Sequence, residues 1–543
     1  MSITGKRSVS PLALILVVCV AILAAFIPPS SSQAASPRMD MELMSITAEP
    51  NGDLVPVIVR THGQTDQVKA LAERLGSEIG VDLEFIQAFA ARVPARSLPR
   101  LGSDSRVRWV SYDRPVFAQN DPGADGLAKI LDPAKLVNTY NVTVGATQAW
   151  AEGWTGKGIT VAVIDSGVQY HPDLLGDVLW GFSVLATGQP ARVDAYGHGT
   201  HVAGIVAGDG FIGGGKYAGI APDARILPVR VCDDRGASSE STLVAGLQWI
   251  YKTRALYNTR VVNVSLNSSS LLSYHESPLD AALEILWFNS IVVVVSAGNS
   301  RGAIYPPAND PFLITAGAVD EHGTAATADD TLAGFSGYGT TPEGFSKPDL
   351  VAPGVDIVSL LAYPGVRLAT EHPDHRVDNR YFRLSGTSMS AAVTSGAVAL
   401  LLQARPDLNP DQVKFLLKAS ATPLNQPGVG AGLLNVYAAI HMQGIAAANT
   451  GTPASQLLWT GTDPVNWGSV NWGSVNWGSV NWGSVNWGSV NWGSVNWGSV
   501  DCSSVNWGRK PTRSVNWGGR PPGSVNWGRA PLRSVNWGGG HKD

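Results

Sequence analysis

At 543 residues the chain is long enough for three or four units of about 150 residues each. Its formal charge is −4, with 15% charged and 44% apolar residues, which excludes a polybasic nucleic-acid binder and a strongly charged disordered chain and leaves ample material for a large core. Its three cysteines are too few and too scattered for a disulfide framework or a Cys-rich metal site.

Lys6 and Arg7 precede 16 uninterrupted apolar residues, 12–27, and small residues follow as far as Ala34 and Ala35. A basic start, an apolar centre and a small-residue end predict a secretory signal peptide over residues 1–35. The run falls short of the ~20 residues that span a bilayer, so cleavage is expected rather than anchoring. The expected product is secreted and extracellular, with no membrane association once the signal is removed.

Residues 55–60 read as a strand, 66–79 as an amphipathic helix, 83–93 as a strand, 97–101 as a short helix and 106–116 as a strand. Together they predict a small α+β domain over residues 48–118. A polar connector with Gly and Pro follows, and residues 119–145 are taken as linker. Beyond it, the continuous apolar runs 159–164, 261–266, 291–295 and 312–319 alternate with helical stretches such as 276–289. This pattern predicts an α/β domain, residues 146–443, whose mainly parallel sheet is covered by helices on both faces.

The C-terminal region, residues 455–543, is a low-complexity repeat. Val-Asn-Trp-Gly-Ser recurs seven times from Val465, and Val-Asn-Trp-Gly returns at 505, 515, 525 and 535, so that 11 of the 18 Trp lie beyond residue 460. Residues 464–500 are uncharged, whereas 501–543 carry a local +5. A five-residue period fits neither regular element: a strand sends successive Trp to opposite faces, and a helix turns them by about 140°. Gly-containing turns or disorder are the expectation.

Three segments carry chemistry. Val163-Ile164-Asp165-Ser166-Gly167 puts a carboxylate at the end of a buried strand, and Gly197-His198-Gly199-Thr200-His201 puts an imidazole at the start of a small-residue helix. Ser385-Gly386-Thr387-Ser388-Met389-Ser390-Ala391 puts a hydroxyl at the mouth of a long apolar helix. A serine nucleophile needs a base within reach, and that base needs a buried carboxylate to fix its tautomer. Unpaired N–H groups at a helix N-terminus add positive potential where an oxyanion would form. Each segment alone has a structural reading as a cap or a loop. Their order, Asp then His then Ser, together with their flanks, points to catalysis.

These segments resemble the signature motifs of the subtilisin-like serine proteases, and the likeness runs over roughly residues 146–441. Ser296-Ala297-Gly298-Asn299, Phe335-Ser336-Gly337 and Lys347-Pro348-Asp349-Leu350-Val351-Ala352-Pro353-Gly354 agree with it. The resemblance implies that Asp165 orients, His198 acts as base and then acid, Ser388 attacks, and Asn299 donates to the oxyanion. It implies that His201 is a packing residue and that Gly236, Ser265, Leu266, Asn267, Ala297 and Gly298 contact substrate. Asn267 stands where Gly is usual and would narrow the primary pocket. The small first domain resembles the family's inhibitory propeptide, which implies a self-processed zymogen cut between residues 118 and 141.

No cofactor is expected for the chemistry. Asp173 matches a calcium-binding position in some relatives, but the loop 208–219 lacks the Asn-containing pattern that would supply further ligands, so no metal is assigned. Cys232 and Cys502 are read as a buried free thiol and an incidental one rather than as a bond. The expected partners are protein or peptide substrates, the chain's own propeptide and, through the Trp repeats, cell-wall polymers or polysaccharide; nucleic acid is not expected. The competing reading is a surface-binding protein with an inert protease-like domain. Asp233, Asp234 and Glu240 against Arg235 make an acidic edge, which predicts a basic residue two to four positions before the scissile bond.

Overall fold

Runs of Val and Ile flanked by polar ends form the strands of a central eight-stranded sheet. Its order is Thr331–Leu332, Ile314–Asp320, Val292–Ser296, Thr259–Val264, Thr160–Asp165, Arg225–Arg230 and Phe182–Ser183, with Leu350–Pro353 also paired to Ile314–Asp320. Every pairing is parallel except that of the short edge strand Thr331–Leu332. All six residues of Thr160–Asp165 and all five of Val292–Ser296 are buried, as helices on both faces require. The computed structural model describes residues 37–48, 53–118 and 138–458, together with five short backbone strands beyond residue 495. The predicted signal peptide and most of the linker lie outside the described residues.

The helix Thr387–Ala404 is buried from Thr387 through Leu402 and runs through the centre of this body. Among the described residues it is the one helix long and apolar enough to cross a membrane, and its burial marks it as a core helix. The expected α/β architecture holds, with ends shifted by one or two residues. Arg225–Arg230 had no sequence signal, because Pro228 and two terminal Arg interrupt its apolar run, yet it pairs residue for residue with Thr160–Asp165.

The first domain is a four-stranded antiparallel sheet in the order Glu78–Leu83, Ala88–Pro94, Leu54–Thr61, Val107–Tyr112. Three expectations fail here, the first being the strand 83–93, which begins only at Ala88 because Glu84–Ile86 form a 3-10 turn closed by Gln87 at φ +54°. The helix stops at Arg74, and Glu78 and Ile79 belong to the next strand, because Gly76 at φ +86° ends the helical path. The predicted strand 106–116 breaks after Tyr112. Its continuation, Pro115–Ala118, leaves the first sheet and enters the second body, lying antiparallel between Ala237–Ser239 and Leu266–Ser268.

Packing continues past residue 443. The Tyr274 hydroxyl donates to the Pro453 carbonyl at 2.8 Å, the Ser455 N–H donates to the buried Glu284 carboxylate, and Leu457 is buried. In the repeats, Val-Asn-Trp segments pair in parallel at twenty-residue intervals. Asn496, Asn516 and Asn536 share one sheet, and Asn506 and Asn526 share another.

Asp349 ties three elements of the main body together. Its Oδ2 accepts from Lys347 Nζ at 2.9 Å and from the Thr315 N–H at 3.0 Å, and its Oδ1 meets Lys414 at 3.0 Å and Lys418 at 3.1 Å. Burial alone would raise this carboxyl, but the three ammonium groups hold it well below the usual carboxylate range. Asp349→Asn would leave the buried Lys347 and Lys414 without their counter-charge and should cost about 3–5 kcal/mol, seen as a lower urea midpoint. Because the folded-state pKa is depressed, the wild-type contribution is complete above about pH 4 and is lost only as pH falls toward the lower folded value. The mutant's deficit should shrink in strong acid.

Candidate active site

Asp165 ends an inner strand with no solvent exposure, and parallel strands place such ends along one edge of the sheet. His198 opens the helix His198–Ala207, and its Nδ1 lies 2.8 and 2.9 Å from the two carboxylate oxygens of Asp165. Gly199 permits this approach: a Cβ there would meet the Gly167 carbonyl at 2.2 Å and the Asp165 Cβ at 3.1 Å. Asp165 Oδ1 also accepts the Ser166 N–H at 2.8 Å. The carboxylate is therefore anchored on one side and fixes the imidazole on the other.

A residue without a recognised sequence signal organises the same helix. Asp194, fully buried, accepts four bonds: from Ser166 Oγ (2.9 Å), the Gly197 N–H (2.7 Å), the Thr200 N–H (2.8 Å) and Thr200 Oγ1 (2.6 Å). Ser166 Oγ in turn accepts the Gly199 N–H at 3.0 Å. Asp194 thus satisfies donors at the helix N-terminus and ties them to the residue after Asp165. The available signal was an acidic residue three positions before the Gly197 that precedes the helix.

Ser388 is the second residue of the core helix. Its hydroxyl donates to the Ser265 carbonyl at 3.2 Å, and Ser265 Oγ donates to the Ser388 carbonyl at 3.2 Å. Asn263 and Ser395 brace this contact: Asn263 Nδ2 donates to Ser265 Oγ, and Ser395 Oγ donates to Asn263 Oδ1, each at 2.9 Å. Asn299 Oδ1 accepts both the N–H (3.0 Å) and the hydroxyl (2.9 Å) of Thr387, which orients its amide beside Ser388. Thr387 Oγ1 also accepts the Gly298 N–H at 3.0 Å. The imidazole stands at one helix start and the hydroxyl and amide at another, groups of the kind that turn a serine into a nucleophile and stabilise an oxyanion.

The expected substrate segments lie alongside. Gly236 accepts the Ala118 N–H through its carbonyl at 3.1 Å, and Leu266 and Asn267 pair with Ala118 and Phe117. The Asn267 side chain points inward, donating to the Ser296 carbonyl and accepting from Ser296 Oγ, each at 3.0 Å. It therefore bridges the segments that hold Ser265 and Ala297-Gly298. His201 is buried, its Nε2 lies near the carbonyls of Ile357 and Phe382, and burial lowers its pKa to about 3, so it is neutral. Asp173 is engaged by the Tyr381 hydroxyl at 2.6 Å and the Ile212 N–H at 3.0 Å. No group of three or more His, Cys, Asp or Glu able to hold a metal occurs among the described residues. Cys232 is buried and free, and burial pushes its thiol up; Cys502 lies outside the described residues.

The acidic edge needs correction. Asp233 Oδ1 accepts the N–H groups of Arg235 and Ala237 and shapes the turn, while Asp234 pairs with the buried Arg230. Glu240 is not on the edge surface but buried behind it, where its Oε1 accepts from Ser268 Oγ at 2.7 Å. Of the three acids only Glu240 is buried.

Asp194→Asn keeps the volume but leaves a single acceptor oxygen where two served four donors. The His198 helix should shift, and labelling of Ser388 by a fluorophosphonate should slow by about 10²-fold. A circular dichroism spectrum unchanged from wild type would separate this from unfolding, and labelling within two-fold of wild type would show that Asp194 has no positioning role.

The subtilase family profile matches residues 156–436, and pentapeptide repeats match residues 465–504 in eight copies. The chain is 40% identical over 346 residues to serine protease AprX of Bacillus subtilis (strain 168), covering 61% of this chain and 74% of that protein. It is 31% identical over 420 residues to the extracellular serine proteinase of Thermus sp. (strain Rt41A), covering 73% of this chain and 90% of that protein. Among solved structures, fervidolysin from Fervidobacterium pennivorans, a keratinolytic enzyme related to subtilisin, matches with a TM-score of 0.59 at 24% identity, over 77% of this chain and 64% of that one, a likeness of fold alone. Profile, relatives and sheet architecture agree: the chain belongs to the subtilase family and is a subtilisin-like serine endopeptidase.

Proposed function

We propose that the chain is made as a secreted zymogen and cuts itself through Asp165, His198 and Ser388. Ser388 Oγ attacks the scissile carbonyl while His198 Nε2 takes its proton, and Asp165 holds the imidazole and stabilises its charged form. The Ser388 N–H and Asn299 Nδ2 stabilise the oxyanion. The protonated His198 then delivers its proton to the departing amine, leaving an acyl-enzyme that water hydrolyses by the same relay. Secretion is supported by the composition of residues 1–35 and by the extracellular relative.

The observation that carries the zymogen reading is the strand Pro115–Ala118, which fills the groove as an added third strand. Its parent domain is docked beside it: the Phe85 N–H donates to Gln248 Oε1 at 3.1 Å, Lys252 Nζ lies 2.9 Å from Glu84, and Asp113 accepts the N–H and hydroxyl of Ser241 at the N-terminus of the helix Glu240–Tyr257. The described register ends with Ala118 opposite Leu266, one residue short of Ser265, whose carbonyl accepts the Ser388 hydroxyl. The maturation cut is therefore assigned to Gln119–Asn120. N-terminal sequencing of secreted protein should find Asn120, and Ser388→Ala should accumulate uncut beyond signal removal. Normal maturation of that mutant in a host lacking other proteases would overturn self-processing.

The repeat tail is read as an appendage that holds the enzyme on cell-wall polymer or polysaccharide, supported by its regularly spaced Trp and its basic last block. Truncation after Leu458 should leave turnover of a short peptide within about three-fold, since the described site lies wholly before it, while retention on insoluble cell-wall material should fall. Equal retention of both forms would remove the binding role.

A further inference from the structure

Glu240 is the first residue of the helix Glu240–Tyr257, and its side chain has no solvent exposure. Its Oε1 is held by Ser268, whereas Oε2 is buried with no hydrogen-bond partner among the described residues. The two residues stand on opposite walls of the groove, Glu240 just after the strand Ala237–Ser239 and Ser268 at the end of Leu266–Ser268. The Glu240 N–H donates to the Arg114 carbonyl at 2.9 Å and so continues the ladder beyond the pair Pro115 and Ser239. Arg114 is the residue opposite Glu240, and its guanidinium is also buried.

Arg114 sits among three carboxylates. Two of them, Asp40 at 2.8 Å and Glu42 at 3.1 Å from Nη2, belong to the first domain, while Glu240 belongs to the catalytic body. Burial raises the Glu240 carboxyl to about 7 against the opposing influence of Arg114. When the first domain departs, Arg114, Asp40 and Glu42 leave together. Glu240 and Ser268 then remain as a pair of groove walls with a carboxylate oxygen that lacks a donor. Such a group favours a cation that enters the same space.

We infer that Glu240 and Ser268 form a subsite for an arginine or lysine side chain at the sixth residue before the scissile bond. This rests on the reading that substrate enters the groove as an added strand and is cut in the register of Gln119–Asn120. The site lies further upstream than the sequence pattern suggested, and it uses one acid of the three. Arg114 is its first occupant, supplied by the chain itself.

The test uses mature full-length enzyme and internally quenched peptides that differ only at the sixth upstream position, which carries Arg, Lys, Gln or Glu. A shorter peptide that stops at the fifth position accompanies them, and mass spectrometry fixes the bond cut. Arg and Lys should exceed Gln in kcat/KM by about tenfold, with Glu lowest, and 1 M NaCl should erode the difference. In Glu240→Gln the Arg to Gln ratio should fall to about one. Equal turnover of the four peptides by wild-type enzyme, or an undiminished ratio in Glu240→Gln, overturns the subsite while leaving the protease reading intact. Failure of wild-type enzyme to cut any of them, the shorter peptide included, overturns both.

Discussion

A carboxylate cut off from water must be surrounded by donors, and the catalytic end of this molecule is arranged around two that are. Asp165 and Asp194 are both fully buried, and between them they accept the Ser166 N–H and hydroxyl, the His198 imidazole, the Gly197 N–H and two donors of Thr200. One strand end and one helix start are thereby locked to each other before substrate is present. Losing either carboxylate would leave several buried donors without acceptors, a cost paid in geometry as well as in stability. Asp349 plays the same part at the opposite end of the sheet, with ammonium groups in place of an imidazole.

The relation between the two domains follows from another constraint, the exposed edges of strands. Ala237–Ser239 and Leu266–Ser268 turn their edges toward one gap, and the extended segment Pro115–Ala118 pairs with both at once. Such backbone pairing is largely indifferent to sequence, so selectivity has to come from side chains at the walls. Asn267 bridges the inner end of the groove, and Glu240 with Ser268 flanks its outer end.

Much of this was legible in the sequence. Continuous Val and Ile runs identify buried parallel strands, and the segments around Asp165, His198 and Ser388 are distinctive because each joins a reactive residue to the glycines and small residues that let backbones approach. What the sequence concealed has local causes. Arg225–Arg230 hides behind a proline, and the strand break at Asp113-Arg114 is unmarked because Asp113 serves the neighbouring domain while Arg114 pairs with Asp40 of its own. Asp194 has no flanking motif, since its role depends on donors brought in by the turn that follows it. The acidic edge misled because charge was counted along the chain, whereas burial sorts Asp233, Asp234 and Glu240 into a turn, an ion pair and a groove wall.

The pairing of the tail imposes a rule on how its length can change. Residues 496, 516 and 536 fall in one sheet and 506 and 526 in the other, so the paired block advances in steps of twenty. Gain or loss of ten residues within it would exchange the two sheets for everything downstream, and gain or loss of five would carry the Asn-Trp segments out of both. The first six uniform copies, residues 465–494, precede those spacings, so gain or loss of whole copies there leaves them unaltered.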